Sequence, residues 1–565
     1  MQKPKHNTSI KVNPKKPVIV SNDKLNGKWI AIIIAMLVAT YIVYTPALKN
    51  TLTGWDDKNY ITIDKDIQKL DAAHIAKIFA LKTACIMGMG NYHPLTMLSY
   101  AIEYSYDKLN PRVYHTTNII LHLINTLLVF LFIRLLARSN IIAFITALLF
   151  AIHTMHVESV AWVAERKDLL YVLFEIAALF AYTWYIRNTQ KRKMFYLLAI
   201  ILFACSILSK AMAVSMAVIL PLIDYYSGRK LIDKKVILEK IPFFLIALIF
   251  GILAYTAQKQ TKAIVFTDYS LYDRILFAAY GVTTYLWKSQ LPINLSCFYD
   301  YPLKGTYGWY IVYAIIVLAL CWLVYKSVKH TRIILFGMLF FIFSLVMILQ
   351  IIPVGGAIIA DRYTYIAYIG LFFMIGHGID YVWKNKTPKF KILKPALTII
   401  LSVFILCLAI GTYQRCKVWK DTLSIWNDAL EKYPSTIKGY NGRGDAYNEK
   451  HQYKLAIKDF DKALEMKVDY SDAYYNRGLA YYWLGKEAQD AGKTATALPL
   501  YYKAISDDSL AIKYSPDLAC AYFNRSGNYY TIGKFKPALE DALKAKELGY
   551  EVDSLYVKAL KRNIK

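Results

Sequence analysis

The run WIAIIIAMLVATYIVYTPAL, residues 29–48, contains no Asp, Glu, Lys or Arg. A helix of about 20 apolar residues crosses the hydrocarbon core of a bilayer. Further runs of this kind occupy 116–137, 140–157, 168–187, 194–209, 211–227, 241–257, 308–326, 333–352, 363–382 and 393–412. The mean hydropathy of +0.31 agrees. The sequence therefore predicts an all-α chain whose larger part, 29–412, is a polytopic membrane bundle of about eleven spans. A further candidate, 271–290, carries Arg274 and Lys288 near its ends.

Charge decides how that candidate is read. If eleven runs cross, the segments with Arg134 and Arg138, Lys191 to Lys193, Arg229 to Lys235, Lys326 to Arg332 and Lys384 to Lys394 all fall on one side. Basic short loops belong to the cytoplasmic side, so 271–290 is expected to be re-entrant or interfacial. The lysine-rich segment 1–28 is then a basic cytoplasmic tail. No small-residue cleavage site follows the first run, which is expected to stay as an anchor. An odd number of spans puts the loops 49–115, 158–167, 258–307 and 353–362 on the non-cytoplasmic face, together with everything after 412.

The net charge of +28 does not point to nucleic acid. The basic residues are spread over short loops and the C-terminal region, without one patch interleaved with aromatics. Cys205, Cys321 and Cys407 lie inside apolar runs, and no CxxC or Cys/His pattern has metal-ligand spacing. Neither a metal site nor a cofactor is expected.

After a linker at 413–434, a repeat occupies 435–565. Arg443, Arg477 and Arg525 hold equivalent positions, and Ala456 and Ala463 recur as Ala538 and Ala545. The middle unit fits if 487–500 is an insertion between its two helices, which moves the small positions to Ala504 and Ala511. A period of about 34 with small residues at helix crossings resembles the tetratricopeptide repeat. Such units stack into an α-solenoid whose concave face binds an extended polypeptide or a partner protein.

Candidate chemistry gathers in the loops of the non-cytoplasmic face. The segment GWDDKNYI, 54–61, places Asp56 and Asp57 just beyond the first run. The loop that holds them is about 65 residues long, a length that usually signals a task. It also carries His93 and leads into His115, Asn118 and His122, which share one helical face. Polar groups at that spacing inside a membrane face a cavity or a partner. The segment HTMHVESVAWVAERKDLL, 153–170, adds His153, His156, Glu158, Glu165, Arg166, Lys167 and Asp168. Its charge suits either a site or an ion cluster that fixes helix ends, and the two histidines lack further metal ligands. Beyond Pro353-Val354-Gly355-Gly356 stands Asp361-Arg362-Tyr363, whose arginine fork suits a phosphate. Lys210 is a second candidate for that task.

These segments together, with NYHPLTMLSYAIEY, NLSCFYDYP and ADRYTYIAYIG in order and the repeats after them, resemble the transmembrane and tetratricopeptide-repeat-containing O-mannosyltransferases and their bacterial relatives. The resemblance implies a C-type glycosyltransferase fold in a bacterial cytoplasmic membrane. It implies a polyprenyl-phosphate-linked sugar as donor, and transfer of a mannose-like hexose, with inversion, to a protein Ser or Thr hydroxyl or another acceptor. Asp56 and Asp57 match the family's acidic motif, with Asp56 expected as base and Asp57 orienting acceptor or sugar. His93 stands where relatives show arginine. The leaving phosphate needs preplaced cations, for which Arg362, Arg166, Lys167 and Lys210 are the candidates. The competing reading is a non-catalytic membrane scaffold that recruits partners through its repeats. A transporter would need charged or broken helices at mid-membrane and an internal repeat of the spans.

Overall fold

The computed structural model describes residues 25–80, 90–188, 190–260, 269–352 and 355–564. Most of the basic tail, and Pro353 and Val354 of the turn before Asp361, lie outside that set. Among the described residues the chain is built of helices, with a single isolated β-bridge between Asp300 and Ala357.

Among the described residues eight helices are long and apolar enough to span a bilayer: Gly27–Lys49, Pro111–Ala137, Val163–Arg187, Arg192–Ser209, Lys234–Lys259, Gly308–Ser327, Asp361–Lys384 and Pro388–Val418. A ninth is a bent pair, Asn140–Ile152 with Thr154–Ala161, which turns by 54° at His153. The expected runs 211–227 and 333–352 form the shorter apolar helices Ala211–Tyr226 and Arg332–Ile348. Each apolar run of the sequence is thus helical, the run 140–157 being broken at His153. Leu271–Lys288 is one uninterrupted helix opened by a Ser270–Asp273 capping box, so it makes no re-entrant hairpin.

Pro111–Ala137, Val163–Arg187 and Asp361–Lys384 form the centre of the bundle, whereas Gly308–Ser327 and Pro388–Val418 bury almost nothing against the protein. Apolar helices left bare in this way need lipid around them, and the chain is an integral membrane protein. One central helix, Asp361–Lys384, meets the shorter helix Arg332–Ile348 at a close approach. A Cβ added at Gly370 would overlap the Gly337 carbonyl, and one at Gly337 would come within 2.6 Å of the Gly370 carbonyl.

The repeats form the pairs Ile437–Glu449 with Tyr453–Met466, Ser471–Asp490 with Thr494–Tyr514, and Ala519–Thr531 with Phe535–Glu547, followed by Ser554–Ile564. In each pair an arginine of the first helix grips an aspartate of the second with two nitrogens. These pairs are Arg443–Asp459 at 2.7 Å, Arg477–Asp507 at 2.8 Å and Arg525–Asp541 at 2.7 and 2.8 Å. The separation is 16 residues in the outer units and 30 in the middle one. The insertion at 487–500 therefore does not loop out. It lengthens both helices of the middle unit to 20 and 21 residues, leaving only a short connection between them.

Candidate active site

The acidic pair opens a short helical segment between the first span and the rest of its loop, and its two members have opposite surroundings. Asp57 is fully buried. Its Oδ2 accepts from the Thr53 amide at 2.8 Å and the Thr53 hydroxyl at 2.9 Å, and its Oδ1 accepts from the Ala164 amide at 2.6 Å. Burial pushes this carboxyl up to about 7, against the pull of those three hydrogen bonds. The expectation that Asp57 orients a substrate is corrected: Oδ1 ties the first loop to Ala164 in the turn Val163–Glu165, and Oδ2 is taken up within the loop by Thr53. Asp56 keeps a side chain 34% exposed and lies 3.8 Å from the Lys167 ammonium.

Lys167 belongs to a buried ionic row across the ends of four spans, Asn140–Ala161, Val163–Arg187, Arg192–Ser209 and Asp361–Lys384. Glu165 is its hub, meeting Lys167 at 3.1 Å, Arg362 Nε at 3.2 Å and Lys210 at 3.4 Å. Lys210 also meets Asp168 at 2.5 Å, and Arg362 meets Glu158 at 2.5 Å while its amide donates to the same carboxylate at 2.9 Å. Asp168 accepts in addition from the Ser159 hydroxyl at 3.1 Å. Lys210 and Arg362 remain 14% and 17% exposed, so their charge reaches the open side of the row. Four carboxylates (Asp56, Glu158, Glu165, Asp168) face three cations (Lys167, Lys210, Arg362) here. Charges taken from water need such partners.

Arg166 is not part of that open row. Its guanidinium is fully enclosed, donating to Asn118 at 2.8 Å and to the Tyr114 carbonyl at 3.0 Å, and paired with Glu103. The expectation that it binds a donor phosphate fails for want of exposed surface, and it acts as an internal brace. Asn118 serves the same brace, giving its amide to the carbonyls of Val160 and Trp162 at 3.2 and 3.3 Å. His115 is buried too. His122 is held by the Tyr365 hydroxyl at 2.8 Å and the Ala151 carbonyl at 2.9 Å. His153 meets the Ser289 carbonyl at 3.2 Å, and His156 the Phe150 carbonyl at 2.8 Å. These three histidines pack among Phe150, Tyr365, Tyr368 and Phe372 and line no site.

His93 immediately precedes the helix Pro94–Asp107 and packs edge-on against Tyr60, with ring centroids 5.1 Å apart. Burial, with Lys167 and Lys210 nearby, holds it down to about 3, so it is a neutral group beside the cations. Among the described residues no group of His, Cys, Asp and Glu is arranged to hold a metal ion.

Sequence reading missed the aromatic side of the site. Trp55, next to Asp56, stacks on Trp162 with centroids 4.7 Å apart, and Trp162 stacks on Trp419 at 5.4 Å. Trp55 also meets Trp426 at 5.1 Å and Phe298 at 6.2 Å. Arg362 lies over Trp162 at 5.5 Å, and Lys167 lies over Tyr60 at 5.1 Å. The signal available was the tryptophan adjoining the acidic pair, although its partners are more than 100 residues away in sequence.

Fold and site together define an integral membrane protein that gathers carboxylates and cations at one end of its bundle, under a tetratricopeptide-repeat domain. The family described as TPR repeat matches residues 444–485. Protein O-mannosyl-transferase TMTC3 of Homo sapiens is 26% identical over 475 residues, covering 72% of this chain and 48% of its own. A protein O-mannosyl-transferase of Caenorhabditis elegans is 25% identical over 404 residues, covering 67% and 54%. The chain thus spans about half the length of the curated relatives it matches. Among solved structures, the Archaeoglobus fulgidus oligosaccharyltransferase in the apo form aligns with 74% of this chain and 59% of its own, at 12% identity and a TM-score of 0.37.

Proposed function

We infer that this chain is a membrane glycosyltransferase that moves a mannose-like hexose from a polyprenyl-phosphate donor to a Ser or Thr hydroxyl on the non-cytoplasmic face. The observation that carries the reading is one half-exposed carboxylate, Asp56, set 3.8 Å from Lys167 at the edge of a buried row of cations. The names of the sequence relatives support the same class of reaction.

The chemistry follows from the placement. An acceptor hydroxyl attacks the anomeric carbon while its proton passes to Asp56, help typically worth about 10²- to 10⁴-fold in rate. A bond forms between the acceptor oxygen and the anomeric carbon. The bond from that carbon to the phosphate oxygen breaks, and its electron pair leaves with the lipid phosphate. Lys167, Lys210 and Arg362 are the cations that take up this growing charge, already held in place by Glu165, Asp168 and Glu158. Attack opposite the departing phosphate inverts the anomeric centre. The repeat domain holds the acceptor or a partner that brings it.

The test compares the glycoproteins and glycolipids of cells carrying the intact chain with those of cells carrying Asp56→Asn at equal abundance. Loss of a mannose-containing product with the protein still folded is the expected result. Unchanged glycans in the variant, or none attributable to the intact chain, would overturn the reading.

A further inference from the structure

The repeat domain does more than hang beside the membrane bundle. The loop that carries Asp56 is clamped between the two. On the membrane side, Asp57 receives the Ala164 amide and Trp55 stacks on Trp162. On the other side, within the linker that leads into the repeats, the Thr51 amide donates to the Lys420 carbonyl at 2.9 Å and the Gly54 amide to the Thr422 hydroxyl at 2.8 Å. Lys58 pairs with Glu449, the last residue of the first repeat helix, at 2.9 Å. A Cβ on Gly54 would come within 2.6 Å of the same Glu449 carboxylate, so the loop and the end of the repeat helix lie close together here.

The aromatic contacts run through the same junction. Trp419, Trp162, Trp55 and Trp426 form one column of indoles, with successive centroids 5.4, 4.7 and 5.1 Å apart. Trp162 and Trp419 are 1% exposed and Trp426 3%, so the column is shut off from solvent except around Trp55. Its far end is wedged by the first repeat, where a Cβ on Gly442 would overlap the Trp426 indole. Stacked aromatics of this kind stabilise one another beyond their buried area. Asp56 follows Trp55 directly, so the position of one indole sets the position of the carboxylate.

We propose that the first tetratricopeptide repeat is a wall of the transfer site, and that Trp426 and Gly442 are positioning residues which fix Asp56 through Trp55. The inference rests on Asp56 being the base. A carboxylate that must meet a hydroxyl at about 3 Å loses rate steeply when its backbone is free to drift. The repeats then govern turnover as well as acceptor binding.

The experiment uses the full chain in lipid nanodiscs, with Trp426→Leu and Gly442→Ala as perturbations and Gly251→Ala, whose Cβ would meet nothing within 4 Å, as control. Amide hydrogen exchange over residues 53–57 is expected to quicken at least tenfold in both variants and to stay unchanged in the control. With a polyprenyl-phosphate mannose donor, kcat is expected to fall at least tenfold while the donor KM stays within twofold, and Trp426→Phe is expected to restore most of both readouts. Wild-type exchange at 53–57 in both Trp426→Leu and Gly442→Ala overturns the inference, as does faster exchange with kcat unchanged. An intact chain that transfers no sugar counts against the enzymatic reading alone, because exchange at 53–57 reports on the column independently of activity.

Discussion

Asp57→Asn tests the division of labour within the acidic pair. In the folded protein burial holds the Asp57 carboxyl at about 7, whereas in the unfolded chain it titrates near 3.8. Between those values the folded state keeps a proton that the unfolded state releases. Stability from this group is therefore greatest below about pH 4, falls as pH rises, and is fully lost above about pH 7. A shift of that size corresponds to about 4 kcal/mol across the window. Asparagine keeps the shape and one acceptor oxygen but cannot titrate, so its variant should lack this fall. Its amide must face either the Thr53 or the Ala164 N–H, donor against donor, which costs about 1–3 kcal/mol at every pH. The assay is the apparent Tm followed by tryptophan fluorescence from pH 4.5 to 8, with Trp55 and Trp162 reporting on the loop. The wild type should lose more stability than Asp57→Asn as pH rises through this range, with the variant less stable at the acid end. Parallel curves would refute the reasoning, because Asp57 would then carry no buried proton.

Three further outcomes follow. His93 is held neutral down to about 3 while an unfolded histidine binds its proton near 6.5, so acid should destabilise the wild type more steeply than His93→Gln below pH 6.5; matched acid limbs would count against a buried neutral imidazole. Gly370→Val should greatly reduce the yield of folded protein, since its side chain would run into the Gly337 carbonyl, the Phe340 Cβ and the Phe341 amide nitrogen of the facing helix; normal yield in detergent with an unchanged Tm would show that the two helices separate freely. Arg525→Ala removes a two-pronged grip on Asp541 and should cost the third repeat about 2 kcal/mol, read as faster exchange over 519–547 with 437–466 unchanged; equal exchange in both regions would rule out an independent third unit.

The membrane bundle was legible because hydropathy needs no partner: a run of apolar residues declares its own solvent, and each run is helical, with one break at His153. The repeat period was legible from Arg443, Arg477 and Arg525, whose aspartate partners explain why they recur. The insertion was located correctly but its shape was not, since helix extension and looping out leave the same gap in an alignment. Within the site, residue types were a good guide to charge and a poor guide to accessibility. Asp56 and Asp57 are neighbours in sequence, yet one faces the open side and one is sealed. Arg166 and Lys167 are divided in the same way, because adjacent residues on a helix start point about 100° apart. The histidines misled for a related reason: His122, His153 and His156 satisfy carbonyls and a hydroxyl inside the bundle, a role that spacing alone cannot separate from a polar cavity. The tryptophan column was invisible because its contacts join residues far apart in the chain.

That column also sets a timetable. Chains are made from the N-terminus, and parts fold as they emerge. Trp55 and Trp162 can meet early, but the indole that closes the other side of Trp55 belongs to residue 426, about 370 residues later in synthesis. Until the stem of the repeats has been made and delivered to the same side of the membrane, the acidic loop is held on one face only. Completion of the site then coincides with arrival of the domain proposed to hold its acceptor.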